Sequence, residues 1–534
     1  MPVEHLEPDS PAPVWIAELL VLRNPPPPAD VCEAVRRALD LPPFGPCEGA
    51  SGAWVATRHD GIECHVAALD EQVHVLVGVR GGHPHAADPA WSGNVLVPAV
   101  AGAVARALGR PVWHASTMLR NLTTRCWSRC FDPSGESPPP PVDWHGAAPN
   151  APPPPAVAPP AWRPNLILTT DPDWRPGYDG PLDFCFLVHP RVPADRVRPF
   201  PATRGIPEAV HHDLWRGVQC LVISRLEVEA AGRTLRGELL SIPFTPTDMM
   251  ERLPEAQEAA AEALAYAADR GTRILGLGGL LPAMTRYGER LVGRAGPVGI
   301  TTGHGFTALA IADYVTRIEA ARGDRRPVAV VGAAGSTGRA AVRRLLADRP
   351  DRRLILHDLP HRLGHIPVPP GSPPGRITVT ADRAALRGAG IVVCVTNAPG
   401  SILRADDFGP DCVILDDAQP ENVAHAGVAA RPDLTVVKCL ARVPGLRCPF
   451  DFGLFAPTAQ RANQEVTFTC LAETVLLALA GHAGSFTVGD PRDEQMTFLR
   501  AAAARYGIGI APFHSFPEVG PVSLTRLSPA GRVG

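Results

Sequence analysis

Apolar residues recur along this chain in short dense runs, and the rhythm of those runs changes across one proline-rich stretch. Ahead of it, "DVCEAVRRALDL" and "VLVPAVAGAVARALG" carry apolar residues at helical spacing, whereas "IECHVAAL" and "QVHVLVGV" read as strands. They predict a small α/β or α+β module over residues 1–133. "SGESPPPPVDWHGAAPNAPPPPAVAPPAWRP" follows, Ser134 to Pro164. Polyproline runs form stiff extended spacers that cannot join a helix or a central sheet, so 134–164 is read as a linker.

Beyond the linker, "LDFCFLVHP" and "CLVISRLEVEAAGRTLRGELLSIPF" read as strands, the second folding back at Ala231–Gly232. "EAQEAAAEALAYAADRG" predicts a helix stopped by Gly271. "TRILGLGGLLP" is a strand entering a glycine-rich turn. "VGITTGHGFTALAIADYVTRIEAARG" is a strand, a glycine turn and a long helix ending at Gly323, with Ile311, Val315 and Ile318 at helical spacing. This alternation predicts an α/β substrate domain with parallel strands over 165–325.

The next stretch, "PVAVVGAAGSTGRAAVRRLL", has a different logic. Val328 to Val331 form a short apolar strand, Gly332, Gly335 and Gly338 follow as GxxGxxG, and a helix opens behind them. Glycines there permit a tight turn and let a pyrophosphate approach a helix N-terminus, where free N–H groups favour anions. Ser336 and Thr337 lie inside this turn. A second strand, "RLILHDL", ends in Asp358, at the distance where an acidic residue holds the ribose of NAD, while His361 and Arg362 could meet the 2′-phosphate of NADP. "AGIVVCVTNAPG" is a further buried strand, ending in Thr396 and Asn397 where a nicotinamide is expected. The fold class is therefore α/β: a Rossmann-type dinucleotide-binding domain over 326–445, with NADPH or NADH as cofactor.

The last segment, 446–515, is expected to pack back on the substrate domain. It contains "FTCLAETVLLALAG", an all-apolar helix that carries Cys470 and Glu473 on one face. A carboxylate in such surroundings is costly unless paired or protonated. Packed core with a satisfied glutamate and a reactive thiol both fit this helix taken alone.

Composition narrows the function classes. The chain has 534 residues, too many for one core. Its net charge of −3 lacks the basic stripe of a nucleic-acid binder. No run is long and apolar enough for an integral membrane segment. The twelve cysteines make no CxxC pair, and the acidic start is unlike a signal peptide, so a reduced cytoplasmic protein is expected. "CWSRC" (Cys126, Cys130) and "HPH" (His83, His85) lack a full ligand set at zinc spacing, and no metal is expected.

"ILGLGGLLP", "GITTGHGFTA", "VAVVGAAGSTGRAAVRRLL", "VILDDAQPENV", "CPFDFGL" and "TCLAETVLLALAGHAGSFTVG" together resemble, in the same order, the long-chain acyl-[acyl-carrier-protein] reductases of cyanobacteria. The likeness spans about residues 180–513 and leaves out the N-terminal module, a candidate for binding an unknown partner. It implies reduction of an acyl thioester, on an acyl carrier protein or coenzyme A, to a fatty aldehyde with NADPH. It also implies a nucleophilic cysteine in a Cys-x-x-Glu helix, which matches Cys470 and Glu473. The chain departs from the family at three places. His304 stands where the turn has asparagine, Leu359 follows Asp358 where a basic residue is usual, and Asp417–Ala418 replace a glycine pair.

Glu473 is the nearest candidate to take the thiol proton, and His304 is the second. Thr301, Thr302 and Gly303 could donate to an oxyanion or merely turn the chain. Asp416 and Asn422 are expected to order the loop beside the cofactor, and Asp451 to be structural. Cys448 is the rival nucleophile, while Cys394 and Cys439 read as core. Two other readings stay open: a shikimate-dehydrogenase-like enzyme acting without a covalent step, and a non-catalytic dinucleotide-binding scaffold.

Overall fold

The computed structural model describes residues 16–23, 25–46, 53–57, 61–69, 72–79, 96–115, 128–137, 180–192, 195, 220–448, 450, 452–455, 459, 461–515 and 522. The proline-rich linker from residue 138 onward, His83, His85, Cys126 and Asp451 lie outside the described residues. The chain divides into two compact units, Met1–Asp179 with Pro193–Ile223, and Gly180–Val192 with Ser224–Gly534.

In the first unit eight strands form one sheet: β1 (Ile16–Arg23), β2 (Gly45–Pro46), β3 (Ala53–Thr57), β4 (Ile62–Leu69), β5 (Gln72–Val79), β6 (Val112–Ala115), β7 (Ser128–Asp132) and β8 (Gly135–Ser137). Their order is β2-β3-β4-β5-β1-β6-β7-β8, with antiparallel neighbours throughout. Helices α1 (Pro28–Leu39) and α2 (Val97–Leu108) share a core with the strands, among them Leu20, Val35, Val66, Val75, Val100 and Val104. The module is thus α+β. Its sheet runs past the expected boundary at Ser134, because Asp132 accepts both the N–H of Ser134 at 2.8 Å and its hydroxyl at 2.6 Å, closing a tight turn into β8.

The second unit opens with β9 (Phe184–Val188), β10 (Leu221–Ala230) and β11 (Arg233–Ser241). Ala231 (φ 51) and Gly232 (φ 72) make the two-residue hairpin turn between β10 and β11, both at positive φ as such turns require. Helix α3 (Leu253–Asp269) stops before Gly271 (φ 65). β12 (Ile274–Leu277) and β13 (Gly299–Thr301) complete the parallel part of a sheet ordered β13-β12-β9-β11-β10, with an antiparallel edge strand beyond β10. Helix α4 (His304–Arg322) follows β13 and ends at Gly323 (φ 62).

A second sheet is wholly parallel: β14 (Val328–Val331), β15 (Leu354–His357), β16 (Ile377–Thr380), β17 (Ile391–Cys394), β18 (Val413–Asp416) and β19 (Thr435–Lys438). Its order, β16-β15-β14-β17-β18-β19, reads 3-2-1-4-5-6 within the sheet and is the doubly wound Rossmann arrangement. Helix α5 (Ser336–Asp348) crosses from β14 to β15, and two of the later crossovers are short 3₁₀ turns, Pro360–His365 and Arg383–Gly388.

This sheet ends at Lys438, short of the expected boundary at 445. The next strand, β20 (Leu440–Arg442), leaves it. β21 (Leu446–Arg447) becomes the edge partner of β10, and β22 (Val466–Phe468) and β23 (Gly509–Ile510) flank β20 in a small third sheet. Helix α6 (Thr469–Leu479) then packs on β9, β12 and α4. Helix α7 (Asp493–Tyr506) lies against α4 and α6. Among the described residues, no helix is long and apolar enough to cross a membrane.

Candidate functional site

Parallel α/β sheets bind ligands beyond the carboxyl ends of their strands, where the strand order reverses. In the parallel sheet that point lies between β14 and β17. A cleft opens there, lined by Thr337, Thr396 and Asn397 on the doubly wound side. Leu277, Leu280, Thr302, His304, Asp417 and Cys470 also line it.

Cys470 is the second residue of α6 and is partly exposed to the cleft. Among the described residues, no side chain caps this helix end. Burial, with the nearby Asp417 carboxyl, pushes the thiol up to about 12, while the N–H groups of Leu471 and Cys470 itself pull the other way. These are orphan donors of a helix N-terminus, which favour a thiolate. Gly303 lies directly against the cysteine: a Cβ on Gly303 would collide with Cα and Cβ of Cys470. Its φ of +76 independently favours glycine.

Glu473 lies one turn along the same helix but serves a different end. It is fully buried, accepts the hydroxyl of Thr301, and accepts the N–H of Phe306 at 2.7 Å. The Gly305 N–H also points to it. Gly305 and Phe306 belong to the first turn of α4, so Glu473 is the cap that α4 lacks locally. Burial raises its pKa, and the Thr301 and backbone hydrogen bonds oppose that rise. Cys470 is not among its hydrogen-bond partners. The sequence expectation that Glu473 takes the thiol proton thus meets a carboxylate already committed to α4. Thr301 is likewise spent on Glu473. Thr302 lines the cleft, and its buried hydroxyl has no hydrogen-bond partner among the described residues.

His304, the first residue of α4, has Nδ1 3.0 Å from the Ser336 hydroxyl oxygen, and that hydroxyl donates to the carbonyl of Gly489 at 3.0 Å. A hydroxyl has one proton. Given to Gly489, it leaves Ser336 an acceptor, so the proton between the two side chains sits on Nδ1 and Nε2 is bare. Burial lowers the imidazole to about 4, against the pull of Asp490, so the ring is neutral near pH 7. Tyr287 meets it edge-on, with centroids 5.8 Å apart.

The glycine turn has the expected form. Gly332 has φ +92, and a Cβ there would come within 2.8 Å of the Val395 carbonyl; one on Gly338 would strike the Gly332 carbonyl. Helix α5 starts at Ser336 with no side-chain cap. This cradle of close-packed glycines and open N–H groups of Ser336, Thr337 and Gly338 fits a pyrophosphate. The Ser336 hydroxyl itself is engaged with His304. Asp358 is buried and braces the turn, accepting the N–H of Ala334 and of Leu359 at 2.8 Å each. Arg362 stands 3.8 Å from Asp358 and donates to the Ala334 carbonyl at 3.3 Å.

Beyond β18, Asp416 accepts the N–H of Ala418 at 3.1 Å and of Asn422 at 3.0 Å. Asn422 in turn accepts the hydroxyl of Thr396 at 2.8 Å. Both residues order the loop beside the cleft. Asp417 is the group the sequence reading passed over, noted only as a departure from a glycine pair. It is partly exposed in the cleft, accepts the Thr469 hydroxyl at 3.4 Å, and is pushed up to about 8 by burial and by Asp416. Cys439 is buried, and its thiol reaches Asp417. Cys394 is buried in β17. Cys448 lies in a separate apolar pocket with Phe450, Phe452, Leu454 and Phe455, where burial pushes it up to about 12. Among the described residues, no group of three or more histidine, cysteine or acidic side chains could hold a metal.

No family model matches the chain. The aminotransferase PigE of Serratia sp. (strain ATCC 39006) is 24% identical over 319 residues, 57% of this chain, and the match spans only 36% of that protein's length. Among solved structures, D-lactate dehydrogenase with NAD+ from Lactobacillus jensenii aligns at 13% identity, covering 48% of this chain and 78% of that one, with a TM-score of 0.21. D-2-hydroxyisocaproate dehydrogenase aligns at 10% identity over 46% and 78%, with a TM-score of 0.22. CmnK aligns at 15% identity over 38% and 63%, with a TM-score of 0.21. Scores this low carry no weight beside the strand order, which is what assigns the doubly wound arrangement.

Proposed function

We propose that this chain is a nicotinamide-dependent oxidoreductase that reduces an acyl thioester to an aldehyde through an acyl-Cys470 intermediate. The observation that carries this reading is the placement of Cys470 at an uncapped helix N-terminus, in one cleft with the residues that end β17. The ordered motif resemblance supports an acyl thioester on an acyl carrier protein or coenzyme A. The partial match to an aminotransferase lends no activity, since most of that protein has no counterpart here.

The backbone of Gly332, Gly335, Ser336, Thr337 and Gly338 would hold the pyrophosphate, and Thr396 and Asn397 would flank the nicotinamide. Asp358 and Arg362 stand at the ribose end, where a carboxylate suits NADH and a guanidinium suits NADPH. When bound, the reduced nicotinamide supplies a hydride. Everything else falls to the chain. Bare Nε2 of His304 takes the Cys470 proton. The open N–H groups of α6 steady the thiolate, and the Thr302 hydroxyl donates to the oxygen of the tetrahedral intermediate. Leu277, Leu280 and Phe468 line the cleft and keep water from the thioester.

Cys470→Ala is expected to abolish aldehyde formation while dinucleotide binding persists. Retained aldehyde formation in that variant would end the acyl-enzyme reading. One observation favours a second reading, direct hydride transfer without a covalent step: the thiol is pushed up to about 12. The same variant separates the two.

A further inference from the structure

We infer that Asp417 is the acid of this cleft, handing a proton to the thiolate that leaves when an acyl thioester passes its acyl group to Cys470. The inference rests on the acyl-transfer reading above. Asp417 follows the carboxyl end of β18 and is fixed by its own N–H, which donates to the Cys394 carbonyl at 3.1 Å. Its side chain faces the cleft that also holds Cys470 and His304. It meets the hydroxyl of Thr469, the residue before the cysteine. The family that the chain resembles carries glycine here, so this carboxyl is a feature of this chain.

Its surroundings keep it protonated. Asp416 precedes it on β18 and Cys439, just past β19, reaches its carboxyl, while Cys470 on α6 feels its charge; Lys438 and Glu421 act on Asp416. Lys438, the cation among these, donates to Glu421 at 2.7 Å. Burial and Asp416 hold Asp417 up at about 8, whereas burial holds His304 down at about 4. Two groups whose environments push their titrations apart divide acid and base roles between them.

The proton balance closes on these two groups. The Cys470 sulfur bonds the acyl carbon as its proton moves to His304 Nε2, and the carbonyl electron pair moves to oxygen. When that pair returns, the bond from carbon to the carrier's sulfur breaks. Its electrons stay on that sulfur, which takes the Asp417 proton and departs as a thiol. His304, whose ring is neutral near pH 7, gives up its proton through water, which restores that of Asp417, so acylation consumes no proton. The one proton that reduction of a thioester consumes reaches the Cys470 sulfur from water. Without an acid, an alkyl thiolate would have to depart into a site that disfavours thiolates.

The test compares an acyl-CoA with the matching S-phenyl thioester as donors, without any dinucleotide, following Cys470 acylation by mass spectrometry. An aryl thiolate leaves without needing a proton. Asp417→Asn is expected to slow acylation by acyl-CoA by about 10²-fold, within the usual range for general acid catalysis, and to leave S-phenyl acylation far less affected. Equal loss with both donors would mean a structural role, and loss with neither would remove the acid; either overturns the inference. Wild-type protein gives an independent readout should the variant fold poorly. The ratio of the two rates cancels the ionisation of Cys470 and His304, and must fall against acyl-CoA as pH rises through about 8. A flat ratio overturns the inference. If neither donor labels wild-type Cys470, the acyl-transfer reading itself fails.

Discussion

Two helix N-termini meet at the cleft of the second unit, and they end in opposite ways. Helix α4 has glycine at its N-cap, and its first-turn amides are taken by Glu473, a buried carboxylate from α6. Helix α6 has no side-chain cap, and the N–H groups of its first turn reach the sulfur of Cys470. The two ends touch through Gly303, which has no side chain to hold them apart. One helix end is thus structural and closed, the other open to a reacting anion. The glutamate of the Cys-x-x-Glu pair serves the first end and the cysteine the second.

The comparison breaks most severely at Glu473. Glu473→Ala would strand the Thr301 hydroxyl and the amides of Gly305 and Phe306, at ~1–3 kcal/mol for each buried donor left unmatched. A stability loss of at least about 3 kcal/mol is therefore expected in chemical denaturation. A loss below about 1 kcal/mol would mean that the cap is not what holds α4.

Gly303→Ala attacks the contact between the two ends. A φ of +76 strains any side chain, and the new methyl would displace Cys470. A displacement of about 1 Å is enough for roughly 10²-fold slower chemistry, so acylation of Cys470 should fall by that order while dinucleotide binding, measured by fluorescence, holds.

Ser336→Ala sharpens the comparison at its catalytic end. It frees His304 to take the other tautomer, and about tenfold slower acylation is expected, near 1.4 kcal/mol. The last test is a pH slope. Asp417 is raised from its ordinary 3.8 to about 8, so the folded chain keeps a proton that the unfolded chain loses. Stability from this group is complete at acid pH and lost as pH rises to about 8. Asp417→Asn should flatten that fall, as read from melting temperatures across the range.

Much of the scaffold was legible from spacing. Helices α1 and α2, the hairpin at Ala231–Gly232, the Gly271 and Gly323 stops and the glycine turn after β14 all follow from local periodicity and φ demands. Local signals also placed Cys470 on a buried helix. They could not assign Glu473, because its partners Thr301 and Phe306 lie about 170 positions away in sequence and meet it only after α6 docks on β12. Asp358 was read as a ribose ligand from its distance past the glycines, and in the fold it braces the turn. Asp417 was noted only as a departure from a glycine pair for a similar reason: nothing local tells that β18 ends at the cleft. The departure of β20 from the parallel sheet had no marker, since "VVKCLARV" continues as an apolar strand.

The central claim is that Cys470 carries the acyl group. Its most direct test is incubation of the whole chain with a long-chain acyl-CoA or an acyl-carrier-protein thioester, without dinucleotide, followed by intact and peptide mass spectrometry. The account predicts one acyl adduct, on Cys470 and absent from Cys448. An unmodified Cys470 with both donors, in protein that still binds dinucleotide, would contradict it.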